Sequence, residues 1–68
     1  MSKNEIRAAN QALYLAARGT TSQVAAFEDR CGRALSTIID ECWDNAERVG
    51  NKALALKLEA AYSRLTAS

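Results

Sequence analysis

Acidic side chains recur at helical spacing in the second half of the chain. If this segment is helical, Asp40, Asp44 and Glu47 fall within about a sixth of a turn, and Glu41 lies further round. Such a group of carboxylates attracts a basic partner or imitates the phosphates of a nucleic acid. Arg48 has the spacing of a helix-surface ion pair with Asp44, which weakens the negative charge there. An ordinary solvated helix face is the alternative interpretation.

A second set of residues suggests a contact with another chain. They lie on one arc beside the main apolar stripe of the same helix: Ala25, Gly32, Ile39, Trp43 and Ala46. The small residues would allow another backbone to approach closely. Ile39 and Trp43 would anchor the contact, since tryptophan is enriched at interface hot spots. We predict a homodimer through this flank, the alternative being that these residues widen an intramolecular core.

Catalysis and metal binding lack the residues that they need. The sequence contains no histidine, which is the commonest acid–base group near neutral pH and a common metal ligand. Its two cysteines, Cys31 and Cys42, belong to no Cys-x-x-Cys pair or Cys/His cluster. On one continuous helix they would lie about 16 Å apart, too far for a disulfide. We therefore predict two buried, reduced thiols, no enzymatic activity, and no catalytic, cofactor or metal site.

The charge balance gives little support to nucleic-acid binding. The sequence contains nine Lys and Arg residues and eight Asp and Glu residues, which gives a net charge of +1. Nucleic-acid modules are typically strongly basic. The bases form no run in the sequence: Lys3, Arg7, Arg18, Arg30, Arg33, Arg48, Lys52, Lys57 and Arg64. A small helical dimer that aligns arginines from two chains on RNA or DNA is the alternative function.

The chain shows no pattern that predicts a membrane segment. No run approaches the roughly 18 apolar residues of a membrane span. The start, MSKNEIRAAN, lacks the apolar centre of a signal peptide. We therefore expect a cytoplasmic protein with reduced thiols and no contact with a membrane.

The elements that must position these residues are helices. Ala, Leu, Glu, Lys and Arg dominate a sequence without proline, and all five are strong helix formers. Capping residues and glycines predict three helices, at 3–18, 21–49 and 52–65, in a single domain covering 1–68 with a frayed end at 66–68. Ser2 and Glu5, and Thr20 and Gln23, have capping-box spacing, and Asn51 suits an N-cap.

Gly32 is the main objection to a long central helix. Val24, Phe27, Leu35 and Ile38 nevertheless keep one helical phase across it, which favours an unbroken helix over a kink that gives four short ones. The two shorter helices would then lie end to end, antiparallel to the long one, and homodimerisation would complete the bundle. The predicted core is Ile6, Leu13, Val24, Phe27, Cys31, Leu35, Ile38, Cys42, Val49, Leu54, Leu58 and Leu65.

Two resemblances bear on function. The string from Gly32 to Ile38 resembles the turn and the start of the recognition helix in helix-turn-helix repressors, but Arg33 and Glu41 stand where that pattern has apolar residues. In size and helical texture the chain resembles small phage- and plasmid-encoded regulators, such as anti-CRISPR inhibitors and antisense-RNA modulators. The lack of a catalytic site, the surplus apolar surface and the group of carboxylates predict a stoichiometric protein-binding regulator or inhibitor, and the carboxylates favour a basic partner.

Overall fold

The computed structural model describes residues 1–67, which form an all-α fold of four helices. These are α1 Lys3–Arg18, α2 Thr21–Cys31, α3 Leu35–Arg48 and α4 Lys52–Thr66. The predicted all-α class is confirmed, and so are the bounds of the first helix. The expected fraying at 66–68 stays a prediction, because α4 continues to Thr66 and Ser68 lies outside the described residues.

The helix starts follow the capping residues read from the sequence. The Ser2 hydroxyl accepts the Glu5 backbone N–H at 3.2 Å. Thr20 and Gln23 form a complete capping box, in which each side chain accepts the backbone N–H of the other. The Asn51 side-chain oxygen accepts the Leu54 N–H at 3.3 Å. These bonds satisfy backbone donors that have no partner within the helix.

The predicted continuous helix over 21–49, and with it the three-helix count, is wrong. Gly32 has φ 69° and ψ 21°, ends α2 as its C-cap, and donates its N–H to the Glu28 carbonyl at 2.8 Å. Glycine adopts this left-handed conformation without the steric cost that other residues incur. The helical phase survives because a three-residue turn, 32–34, lets two separate helices direct their apolar faces at one core. Phe27, Leu35 and Ile38 are accordingly all buried.

Glu28 fastens the end of α2 to the start of α3. The N-cap of α3 is Ala34, which offers no side-chain acceptor. Instead the Glu28 carboxylate accepts the Leu35 N–H, with 2.6 Å between the two heavy atoms. A negative charge at a helix N-terminus is also favoured by the helix dipole. The turn after Gly32 is thus fixed from outside α3.

The core lies where α1 packs across the hairpin of α3 and α4, while α2 contacts α1 and α3. The predicted end-to-end arrangement of two outer helices is therefore not formed. The buried residues are Ala9, Ala12, Leu15, Phe27, Leu35, Ile38, Ile39, Ala46, Leu54, Ala55, Leu58 and Ala61. Most of this core comes from the α3–α4 hairpin and the inner face of α1.

Five of the predicted core residues are buried, and several others are not. Phe27, Leu35, Ile38, Leu54 and Leu58 belong to the core, whereas Leu13, Val24 and Cys42 are half-buried. Exposure overturns the prediction for the remaining four: Ile6, Cys31, Val49 and Leu65. On α1 the inward face carries Ala9, Ala12 and Leu15, because alanine lets that helix lie close to the hairpin.

Candidate functional site

The acidic side chains of α3 point away from the core. Asp40, Asp44 and Glu47 are exposed. At about 100° per residue they lie on the side of the helix opposite Leu35 and Ile38, which are buried. The predicted clustering of these three carboxylates on one outer face is therefore present in the folded chain.

Glu41, the fourth acidic residue predicted for this face, has a separate partner. The Arg33 guanidinium, in the turn before α3, donates to both of its carboxylate oxygens. About half of each side chain stays exposed, so the pair is screened by solvent and its direct contribution to stability is small. Its effect is local, because it ties the 32–34 turn to the second turn of α3. Arg33 and Glu41 are also the two residues that depart from the repressor pattern. The ion pair between them neutralises the charges that stand where that pattern has apolar residues.

Trp43 joins the remaining acidic residues in one depression. A shallow hollow of about 320 Å³ is lined by Asp40, Trp43, Asp44 and Glu47, and we call it the acidic depression. The Trp43 indole N–H donates to the Glu47 carboxylate at 2.9 Å. Its ring packs against Tyr62 of α4, with 6.0 Å between centroids and 52° between planes. These two contacts fix both the ring and the carboxylate beside it.

Arg48 only partly neutralises the acidic depression. Its Nε lies 3.6 Å from the Asp44 carboxylate, and both side chains are largely exposed. The guanidinium also donates to the Asn45 side-chain oxygen, which holds it toward the neighbouring side of α3. Exposed pairs of this kind are weak. Three carboxylates against one offset guanidinium therefore leave the depression net negative.

The residues predicted for the dimer interface do not form one exposed surface. Ile39 and Ala46 have 0% exposure and belong to the core of this chain, and Trp43 is half-buried against it. Ala25 and Gly32 are exposed near α2. The expectation of a bare flank depended on a continuous helix, which the turn at Gly32 replaces. Homodimerisation stays a prediction, and in this fold it would use other surfaces.

Two thiols border a second hollow, between α1, α2 and α3. Cys31 is exposed, contrary to the prediction, and Cys42 is half-buried, and both are free. They line a groove of about 430 Å³ with Phe27 and Ile38. Burial raises the pKa of the Cys42 thiol, and the nearby Glu41 carboxylate raises it further. A thiol with a raised pKa stays protonated at neutral pH and is a poor nucleophile.

The sequence contains the signal for the acidic depression. Trp43 and Glu47 stand four residues apart and so become neighbours on a helix surface. The spacing alone predicts Trp43 on a self-association flank and the carboxylates on a different side of the helix. The structure brings them together because the indole edge reaches the acidic face while the ring rests on Tyr62.

Comparisons with protein-family models, curated proteins and solved structures find no match. Within residues 1–67, no group of three or more His, Cys, Asp or Glu side chains is arranged to hold a metal ion. The same part of the chain contains no helix long and apolar enough to span a membrane.

Proposed function

We propose that this chain is a non-enzymatic protein-interaction module of the cytoplasm, which regulates or inhibits a basic partner protein by binding it stoichiometrically at the acidic depression. This is the manner of the small phage- and plasmid-encoded inhibitors that it resembles in size. The main support is the placement of three carboxylates around a tryptophan ring that is already fixed. Little side-chain freedom would be lost on binding, so the surface is pre-organised.

The chemistry of the acidic depression suits an arginine side chain of the partner. A guanidinium donates charge-assisted hydrogen bonds to carboxylates such as those of Asp40 and Asp44. Its flat face also packs on an indole ring, where cation–π attraction contributes roughly 0.5–2 kcal/mol. A lysine ammonium has the charge but lacks the planar, forked donor geometry. We therefore expect the depression to prefer arginine to lysine.

The helix-turn-helix order of α2 and α3 does not support DNA binding through α3. A repressor inserts the second helix of the pair into the major groove beside the phosphates. Here the outward face of that helix carries Asp40, Asp44 and Glu47, which phosphates repel. A basic protein surface is the better complement to this face.

Trp43 is the only tryptophan in the sequence, so its fluorescence reports directly on the acidic depression. We expect an arginine-rich peptide to change the Trp43 emission in a saturable manner. A lysine-rich peptide of equal length should bind more weakly, and a glutamate-rich one not at all. The double substitution Asp40→Asn/Asp44→Asn should weaken arginine-peptide binding about tenfold or more, as expected for loss of two charge-assisted contacts.

A matched variant controls for net charge. Asp29→Asn/Glu59→Gln removes two exposed carboxylates from α2 and α4, and binding should remain close to that of the wild type. Equal loss in the two variants would show attraction to overall charge and no specific site. Capture from a cell lysate with the same three proteins then identifies the partner. It should be retained by the wild type and the control and lost from Asp40→Asn/Asp44→Asn.

A further inference from the structure

The outward face of α1 has the opposite charge to that of α3. Its side chains at positions i, i+4, i+7, i+11 and i+15 are Lys3, Arg7, Asn10, Tyr14 and Arg18, and all are exposed. At about 100° per residue they lie opposite the buried residues of α1, which are Ala9, Ala12 and Leu15. We call this set the basic stripe, and it extends over about 22 Å at 1.5 Å per residue.

The positive charges of the basic stripe are not neutralised within the described chain. Among residues 1–67 the ion pairs are Arg33–Glu41 and Arg48–Asp44, neither of which involves α1. The acidic residue of α1, Glu5, lies about 160–200° round the helix from Lys3 and Arg7, and its carboxylate accepts the Ser2 hydroxyl. Lys3, Arg7 and Arg18 therefore present their charge to solvent.

Tyr14 lies between these cations with 56% of its surface exposed. The core does not require an aromatic residue there, because α1 packs through alanines and Leu15. An exposed ring flanked by cations is the arrangement that proteins use to bind single-stranded nucleic acid, with bases stacked on the ring and phosphates on the cations.

We propose that the basic stripe binds single-stranded nucleic acid. Phosphates would lie against Lys3, Arg7 and Arg18, an unpaired base would stack on Tyr14, and the Asn10 amide would contact a base edge. Stacking and phosphate contacts do not depend on the 2′-hydroxyl, so RNA and DNA should bind alike. Paired bases are hidden within a duplex, so a duplex should bind more weakly. The acidic depression lies on a different helix, and failure of either proposal leaves the other intact.

Fluorescence anisotropy with dye-labelled oligouridine, oligothymidine and a duplex tests the proposal. Three phosphate contacts at about 0.7 counterions each predict a slope of about −2 for the logarithm of affinity against the logarithm of salt concentration. Lys3→Gln/Arg7→Gln should reduce that slope to about −0.7. Lys52→Gln/Lys57→Gln removes two exposed cations from α4, and it should retain the wild-type slope.

Substitution of Tyr14 tests stacking separately from charge. Tyr14→Ala should weaken binding about 5- to 150-fold, the fold-change that corresponds to one stacked base, while Tyr14→Phe should bind like the wild type. Circular dichroism checks that each variant remains helical, as expected for exposed positions.

The proposal is overturned by equal losses of binding in the two charge variants or by tighter binding of the duplex. Unchanged binding of Tyr14→Ala would overturn it too, as would equal affinity for anionic vesicles or polyglutamate.

Discussion

The α3–α4 hairpin and α2 are all helical, but they are held in the protein by different means. α3 and α4 each contribute four buried residues, whereas α2 contributes one, Phe27. α2 nevertheless has the complete capping box. The capping box therefore sets where α2 begins, and burial determines how firmly the helix is attached.

The surroundings of α2 confirm its weak packing. A groove of about 430 Å³ lies on its α1 and α3 side, and a second of about 460 Å³ lies near its N-terminus, beside Leu15 and Leu65. Besides Phe27, α2 is held at its end by the Glu28 bond to Leu35, and the exposed Arg33–Glu41 pair in the following turn adds little. Segments with few buried contacts open at a lower free energy than the whole protein.

The largest effect is expected from a substitution in the hairpin. Ile39 is fully buried in α3, and Ile39→Ala should cost about 2–5 kcal/mol through lost burial and a residual cavity. A domain this small has little stability in reserve. We expect Ile39→Ala to lose most of the helical signal in far-ultraviolet circular dichroism, because all four helices unfold together. A variant that melts near the wild-type temperature would show that the hairpin is not the main source of stability.

Phe27→Ala should release α2 and leave the hairpin folded. The substitution removes the one buried side chain of α2, so the cost is limited to the free energy of docking that helix. Hydrogen exchange read by NMR should show loss of amide protection at 21–31, with protection retained in α3 and α4. If protection is lost everywhere together, α2 and the hairpin form one cooperative unit and the distinction between them fails.

The two left-handed glycines provide a matched pair of smaller effects. Gly32 follows α2 and Gly50 lies in the hairpin loop, with φ 69° and 76°. A Cβ at either would meet no atom within 4 Å, so an alanine would cost only the backbone strain of about 1–2 kcal/mol. Gly32→Ala should increase hydrogen exchange mainly in α2. Gly50→Ala should lower the melting temperature of the whole protein. Identical exchange patterns would contradict this division.

Thiol labelling probes the same difference chemically. Cys31 is exposed and should react with an aromatic disulfide reagent at once. Cys42 is half-buried in the groove beside α2 and should react more slowly than Cys31. In the Phe27→Ala variant Cys42 should react faster than it does in the wild type.

Because the pKa of Cys42 is raised in the folded state, the contribution of Cys42 to stability is full at neutral pH. It declines as the pH rises above the pKa of the unfolded thiol.

The sequence predicted local structure better than it predicted packing. The all-α class, the caps at Ser2, Thr20 and Asn51 and the acidic face of α3 all depend on neighbours within four residues, which a single sequence displays. The turn at Gly32 was not predicted because continuous helical phase fits both one helix and two helices around one core. The prediction of the inward face of α1 was wrong because that face consists largely of alanines, which fit the close approach of the hairpin. The periodicity of larger side chains does not show where such a close approach occurs.

The alanines of the core have a thermodynamic consequence. Ala9, Ala12, Ala46, Ala55 and Ala61 are all buried, yet each removes far less apolar surface from water than a leucine does. Unfolding therefore exposes little apolar area, and both the heat capacity change and the denaturant slope should be small for a chain of this length. A small heat capacity change flattens the curve of stability against temperature. We expect a shallow, broad urea transition and modest stability that changes little between a cold room and body temperature.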